Sequence, residues 1–397
     1  MAKIVIVTTV PETLALILKE QPRYLHSHFD VELVTSPGQW CQRVAEQEGV
    51  PVHPLPMTRG ISVSADLVSV LRMVRLLQET RPAVLHSYTP KAGLVAMLAG
   101  WLCRIPVRTH TFTGLLFPSA RGLRRQILIW ADRLICACAT HVVPEGNGVK
   151  RDLQAFGITR KPLHVIGFGN IAGIDTSHFR RDAPGVAEAA AALRAQLGIA
   201  EGDFVFCFIG RINRDKGMPE LMAAFAALPA HCHLVLAGEL DATAAVDAPT
   251  VAAMQAHPRV HALGFVHDVR PALLLSDVMV LPSYREGFPN VILQAGAMEV
   301  PVIATDINGC NEVIKRGCNG WLVPPHDAAA LGEAMAEACR TTAARRQSMG
   351  RRARERVCAR FERLSHWERM AAFYHGLLTP ASERSGRPHT LSGERLP

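Results

Sequence analysis

Long apolar runs are missing from this sequence. A membrane-spanning helix needs roughly 18 to 20 consecutive apolar residues, and the longest candidate, Ala92 to Cys103, is interrupted by Gly93 and Gly100. Near the N-terminus, Lys3 precedes a short apolar stretch that ends at Thr8 and Thr9, too brief for a signal-peptide core and suited to a buried first strand. The ten cysteines include no CxxC pair and no His/Cys group at zinc spacing; the nearest two, Cys136 and Cys138, are one residue apart. Disulfide scaffolds and zinc modules are therefore excluded, and reduced packing thiols in the cytoplasm are expected. No acidic cluster suits a bound metal either, so no metal and no cofactor are expected.

The 397 residues exceed the usual span of one hydrophobic core and predict two domains. Apolar residues make up 49% and charged residues 20%, which excludes a disordered chain and fits an α/β protein. The net charge of +8 is uneven: residues 1–180 hold 20 Lys and Arg against 12 Asp and Glu, so the whole excess lies there. Such a half suits an anionic membrane surface or a phosphate-bearing substrate, while solvated arginines are the plain alternative. Nucleic acid, a third option, is not expected as a partner. Arg121, Arg124, Arg125 and Arg133 stand beside apolar Ile127 to Trp130. One amphipathic helix there would rest in a headgroup region, unless those apolar residues pack into the core.

Short apolar runs alternate with stretches of helical length and pattern. In the first half the predicted strands are Ile4 to Val7, Val31 to Thr35, Ala83 to His86, Val107 to Thr111, His141 to Val143 and Leu163 to Ile166. In the second they are Phe204 to Ile209, His233 to Ala237, Val260 to Leu263, Val278 to Leu281, Val302 to Ala304 and Trp321 to Val323. This order is βαβ repetition: two doubly wound, Rossmann-like domains facing across a cleft, where the ligand is expected. The expected divisions are 1–175, 176–358, a helix at 359–378 returning to the first domain, and a disordered tail at 379–397.

Two segments carry the chemistry. Gly210-Arg211-Ile212-Asn213-Arg214-Asp215-Lys216-Gly217 leaves a strongly apolar strand and enters a helix near Pro219. Exposed amides, a helix dipole and cations meet there, as phosphate binding requires. It is no Walker loop, since no Ser or Thr follows the lysine. Ser283-Tyr284-Arg285-Glu286-Gly287-Phe288-Pro289-Asn290-Val291 also leaves an apolar strand and opens a helix. Glu286 is either a helix-stabilising charge or an acceptor for ligand hydroxyls. Gln294 lies eight residues further, about two turns along that helix.

Together the segments resemble the nucleotide-sugar site of the retaining glycosyltransferases of family 4, whose fold is GT-B. The resemblance covers residues 1–378 and is strongest from Phe204 to Pro325. It implies that Arg211 and Lys216 bind the donor diphosphate and that Glu286 contacts the transferred sugar. Gly287, Phe288, Pro289, Asn290 and Val291 would contact sugar or phosphate through their backbone. Gln294 stands where the family usually has a second acid that binds ribose; an amide still accepts and donates one hydrogen bond there. His110, in Thr109-His110-Thr111, matches a histidine that the family places near the donor sugar, and His86 is an acceptor-side candidate.

The stretches His86 to Gly93 and Asn308 to Glu312 look like enzymes of bacterial capsule, O-antigen and surface-glycan assembly. They imply a UDP-sugar donor carrying a hexose or N-acetylated hexosamine, a glycan or polyprenyl-diphosphate acceptor, and work at the inner membrane face. A nucleotide-sugar epimerase and a non-catalytic nucleotide-sugar binder are the alternatives. A dinucleotide oxidoreductase is disfavoured, because Gly167-Phe168-Gly169 lacks the third glycine.

Overall fold

A computed structural model describes residues 1–58, 60 and 62–379. The chain divides into two compact units, Met1–Gly173 together with the segment from Arg363, and Ile174–Glu362. The first holds a parallel sheet of β1 (Lys3–Val7), β2 (Asp30–Thr35), β3 (Val52–Pro54), β4 (Val84–Tyr88), β5 (Val107–Phe112) and β6 (His141–Pro144), ordered β3-β2-β1-β4-β5-β6. The second holds β7 (Phe204–Ile209), β8 (Cys232–Ala237), β9 (Val260–Gly264), β10 (Val278–Leu281), β11 (Val302–Thr305) and β12 (Gly320–Val323), ordered β12-β11-β10-β7-β8-β9.

Counted within its own unit, each sheet runs third, second, first, fourth, fifth, sixth, the doubly wound order. Its central strands read as continuous apolar runs because helices cover both faces: every residue of β7 and of β10 is buried. Strand order reverses between β1 and β4 in the first unit and between β7 and β10 in the second. Connections leave in opposite directions at that point and open a crevice at the carboxyl ends of the strands. In the second sheet Phe206 lies opposite Val278, so the two segments singled out in the sequence exit side by side there.

Some expectations are corrected. Leu163 to Ile166 forms no strand; Leu163 makes one bridge to Val142, and the backbone then turns through Gly167, Gly169 and Asn170 at positive φ. β3 is absent from the expected strands; it carries Pro54 and occupies the sheet edge, where a missing donor is tolerated. The C-terminal helix begins at Arg363 rather than 359, after a separate helix Ala343–Phe361 that belongs to the second unit. Its Met370, Ala371, Tyr374 and Leu377 join the core of the first unit with Ile4, Leu33 and Val84. The expected tail falls, beyond Thr379, outside the described residues. Among the described residues no helix is long and apolar enough to cross a membrane.

Candidate active site

The loop after β7 is built so that its cations reach the carboxyl edge. Asn213 caps a short turn at Arg214–Lys216 by accepting from the Asp215 amide at 3.1 Å. Gly217 follows with φ 64°, and a Cβ there would lie 2.1 Å from the Pro282 carbonyl oxygen, so only glycine lets this loop pass against the end of β10. The helix Met218–Ala226 then starts on the far side of that contact.

The loop after β10 meets it through a lattice of charges. Lys216 Nζ donates to Glu286 Oε1 at 2.5 Å, both groups being largely buried. Arg285 Nη2 lies 2.6 Å from Asp215 Oδ2, and the Tyr284 amide donates to the Asp215 carbonyl at 2.8 Å. Tyr284 stacks on His326, ring centroids 3.7 Å apart, and its hydroxyl donates to Glu220 at 2.6 Å. Burial, with the Glu220 carboxylate beside it, pushes the Tyr284 phenol well above its ordinary value, so it remains a donor. Arg211 extends outward and pairs with Asp241 of the loop after β8 at 2.9 Å. Arg211, Lys216 and Arg285 are thus each held by a carboxylate, and an anion arriving there exchanges one partner for another instead of ordering a free side chain.

The helix Asn290–Ala297 begins immediately afterwards, with Pro289 as its N-cap. Its first-turn amides point to the same edge, as at any helix start. Phe288 is 5% exposed and packs on Phe361, so its ring serves the core and only its backbone lines the loop. Gly309, at φ 77°, passes so close to Gly287 that a Cβ would fall 2.4 Å from the Gly287 oxygen. Val291 and Gln294 are half-buried on the helix. Ser283 Oγ is buried without a hydrogen-bond partner among the described residues.

The second unit therefore gathers Arg211, Lys216, Glu286, Gly287 and the helix start at one edge. Sequence reasoning assigned nothing to Asp215, Tyr284 or Arg285, although all three stand inside the quoted segments with charges of alternating sign. Glu220, Asp241 and His326 had no local signal; only the fold brings them in.

The two candidate histidines of the first unit, His86 and His110, are both enclosed. His86 is fully buried, with Nδ1 2.6 Å from the Tyr374 hydroxyl and Nε2 2.7 Å from Thr111 Oγ1. Both ring nitrogens are used inside the chain, so His86 ties the C-terminal helix to the sheet and is no acceptor-side group here. His110 is also fully buried, with Nδ1 2.8 Å from Ser87 Oγ, and its ring fills the space a side chain at Gly93 would need. Its Nε2 has no partner among the described residues. Burial lowers both imidazoles to about 3, so both are neutral. His110 is thus enclosed at the end of β5, where Thr113, just past the strand, is half-buried.

Residues 203–341 match the model described as "Glycosyl transferases group 1", and residues 18–169 match "Glycosyl transferase 4-like domain". The chain belongs to this glycosyltransferase family, family 4, and is a transferase with the GT-B type of α/β fold. It is 28% identical over 381 residues to the capsular polysaccharide biosynthesis glycosyltransferase CapM of Staphylococcus aureus, covering 95% of this chain and 97% of that protein. It is 26% identical over 278 residues to the Escherichia coli UDP-Gal:α-D-GlcNAc-diphosphoundecaprenol α-1,3-galactosyltransferase, covering 68% of this chain and 70% of that one. Anabaena HepE, solved in complex with UDP and glucose, superposes with a TM-score of 0.80 over 95% of this chain and all of that one. At 20% identity that likeness concerns the fold.

Proposed function

We propose that the chain transfers a hexose or N-acetylated hexosamine, with retention, from a UDP-sugar to a glycan or polyprenyl-diphosphate-linked acceptor during surface-polysaccharide assembly. The observation that carries this reading is the Lys216–Glu286 pair, which bridges the two loops leaving β7 and β10. The capsular and diphosphoundecaprenol-linked activities of the two relatives support the pathway, and the UDP-Gal donor of the second supports the nucleotide.

In transfer the bond from the anomeric carbon to the diphosphate oxygen breaks, and that oxygen keeps the electron pair. An acceptor hydroxyl oxygen forms the new bond to carbon and releases its proton. Arg211 and Lys216 face the charge that grows on the diphosphate, aided by the first turn of the helix from Asn290. As Lys216 turns to the phosphate, Glu286 loses its cation and accepts hydrogen bonds from sugar hydroxyls, which fixes the ring for attack. Gly287 to Val291 contribute backbone, and Gln294 addresses the ribose. In this reading two cations and a helix dipole do the work that a metal does elsewhere, and no metal or other cofactor is needed.

Incubation with a panel of UDP- and GDP-sugars and polyprenyl-diphosphate glycans, with mass detection, tests the proposal. A glycoside formed from a UDP-sugar is the expected product. A sugar nucleotide altered in place, with no glycoside, would instead mean epimerisation.

A further inference from the structure

Three helices lie in sequence against one another in the first unit, Val63–Thr80, Pro90–Leu102 and Gly122–Cys138, and all three carry large apolar side chains into solvent. On the last, Leu123, Ile127, Trp130 and Leu134 recur at the spacing of one helix face. They are 77, 39, 65 and 42% exposed, while Ile129, Ile135 and Cys136 of the opposite face are buried. On the first helix Val63, Leu67 and Leu71 form a second stripe, exposed by 81, 60 and 54%. Trp101 and Leu102 end the middle helix, also in solvent. The alternative left open by the sequence, that Ile127 to Trp130 packs inward, holds for Ile129 but not for Ile127 or Trp130.

Exposed charge on and beside these helices is predominantly positive. Arg72, Arg75, Arg104, Arg121 and Arg124 are exposed around the stripes, and Arg133 leans on the Trp130 ring at 5.5 Å. Of the acids on these helices, Asp66 is held by Lys91 at 2.6 Å and Asp132 is buried, so Glu79 alone is an exposed carboxylate.

We infer that this face of the first unit rests on an anionic lipid surface, a reading that builds on the lipid-linked acceptor proposed above. The apolar stripes enter the headgroup boundary and the arginines meet lipid phosphates. A second copy of the chain fits less well, because a self-complementary contact would set these arginines against their own kind.

The test uses the full-length protein with vesicles of phosphatidylcholine alone or mixed with phosphatidylglycerol. Sedimentation with the anionic vesicles only, weakened by salt, is expected. Arg121→Glu with Arg124→Glu should reduce partitioning about tenfold or more, and Leu123→Asp with Trp130→Asp should remove it. Brominated lipid should quench the tryptophan fluorescence of the wild type more than that of Trp130→Phe. UDP titration of each variant reports folding and, separately, the donor site. Protein that stays in the supernatant at low salt, or binds equally well in both double variants, overturns the docking face. So does a dimer in sedimentation velocity that Trp130→Asp dissociates. If UDP still binds in those cases, the docking face fails and the donor site stands; vesicle binding without UDP binding means the reverse.

Discussion

The two sheets share one strand order, yet their carboxyl edges are furnished in opposite ways. Between β7 and β10 the loops carry opposed charges: Lys216 with Glu286, Arg285 with Asp215, and Arg211 with Asp241 nearby. Between β1 and β4 the loops are joined by hydroxyls. Thr9 and Thr89 Oγ1 atoms lie 2.6 Å apart, and Thr9 Oγ1 accepts from the Ala92 amide at 3.1 Å, while beside them Thr8 Oγ1 donates to Thr35 Oγ1 of β2 at 3.2 Å. Beneath them His86 and His110 are buried and neutral. The same topology thus makes a charged, exchangeable edge in one unit and a self-satisfied polar one in the other. Strand order offers a crevice; the residues placed at it decide whether it holds a diphosphate.

Acid should expose the difference most strongly. His86 and His110 are lowered by burial to about 3, and His366 of the C-terminal helix to about 4. Unfolded, each titrates near 6.5, so below that pH the unfolded state binds the protons that the folded state refuses. Their stabilising effect is complete above about pH 6.5 and is lost as pH falls towards those folded values, roughly 2 kcal/mol for each histidine by pH 5. Limited proteolysis mapped by mass at pH 7 and pH 5 should find new cuts in residues 1–173 before residues 174–362.

Next in size is Gly217→Ala, which forces a Cβ against the Pro282 carbonyl at positive φ and should cost on the order of 3 kcal/mol. Gly198→Ala, at φ 65° with nothing within 4 Å of the new Cβ, is the control and should cost only about 1 kcal/mol. Thermal unfolding measures both, and equal losses would show that the close approach of the two loops is unimportant. Glu286→Gln should lower kcat about tenfold or more while UDP affinity stays within about threefold, since Glu286 is assigned to the sugar. Kinetics beside calorimetry read the split, and a matching loss of UDP affinity would move Glu286 to the nucleotide. Smallest of all, Gln294→Glu should leave turnover within a few-fold, because an acid accepts ribose hydroxyls as well as an amide does. An inactive but folded Gln294→Glu variant would show that the amide donor is needed.

Much of the fold was legible because buried parallel strands are written as unbroken apolar runs, such as Phe204 to Ile209 and Val278 to Leu281. The loops that follow β7 and β10 were legible too, as glycine and charge at strand exits. His86 lies deeper than expected for a definite reason: β4 runs to Tyr88, two residues beyond the expected His86, which draws that histidine from the strand end into the core. The ion pair between Lys216 and Glu286 joins residues 70 positions apart, and no local pattern announces it. The exposure of Trp130 was open in the sequence as well, since an apolar stripe beside arginines reads equally as core or as surface until the packing is known.

The central claim, that the donor site belongs to the edge between β7 and β10, is tested most directly by hydrogen–deuterium exchange with and without UDP. Added UDP should slow exchange in residues 210–217 and 283–294, with a smaller change or none in residues 8–12 and 89–93. Unchanged exchange in both segments of the second unit, with UDP shown to be bound, would contradict the account.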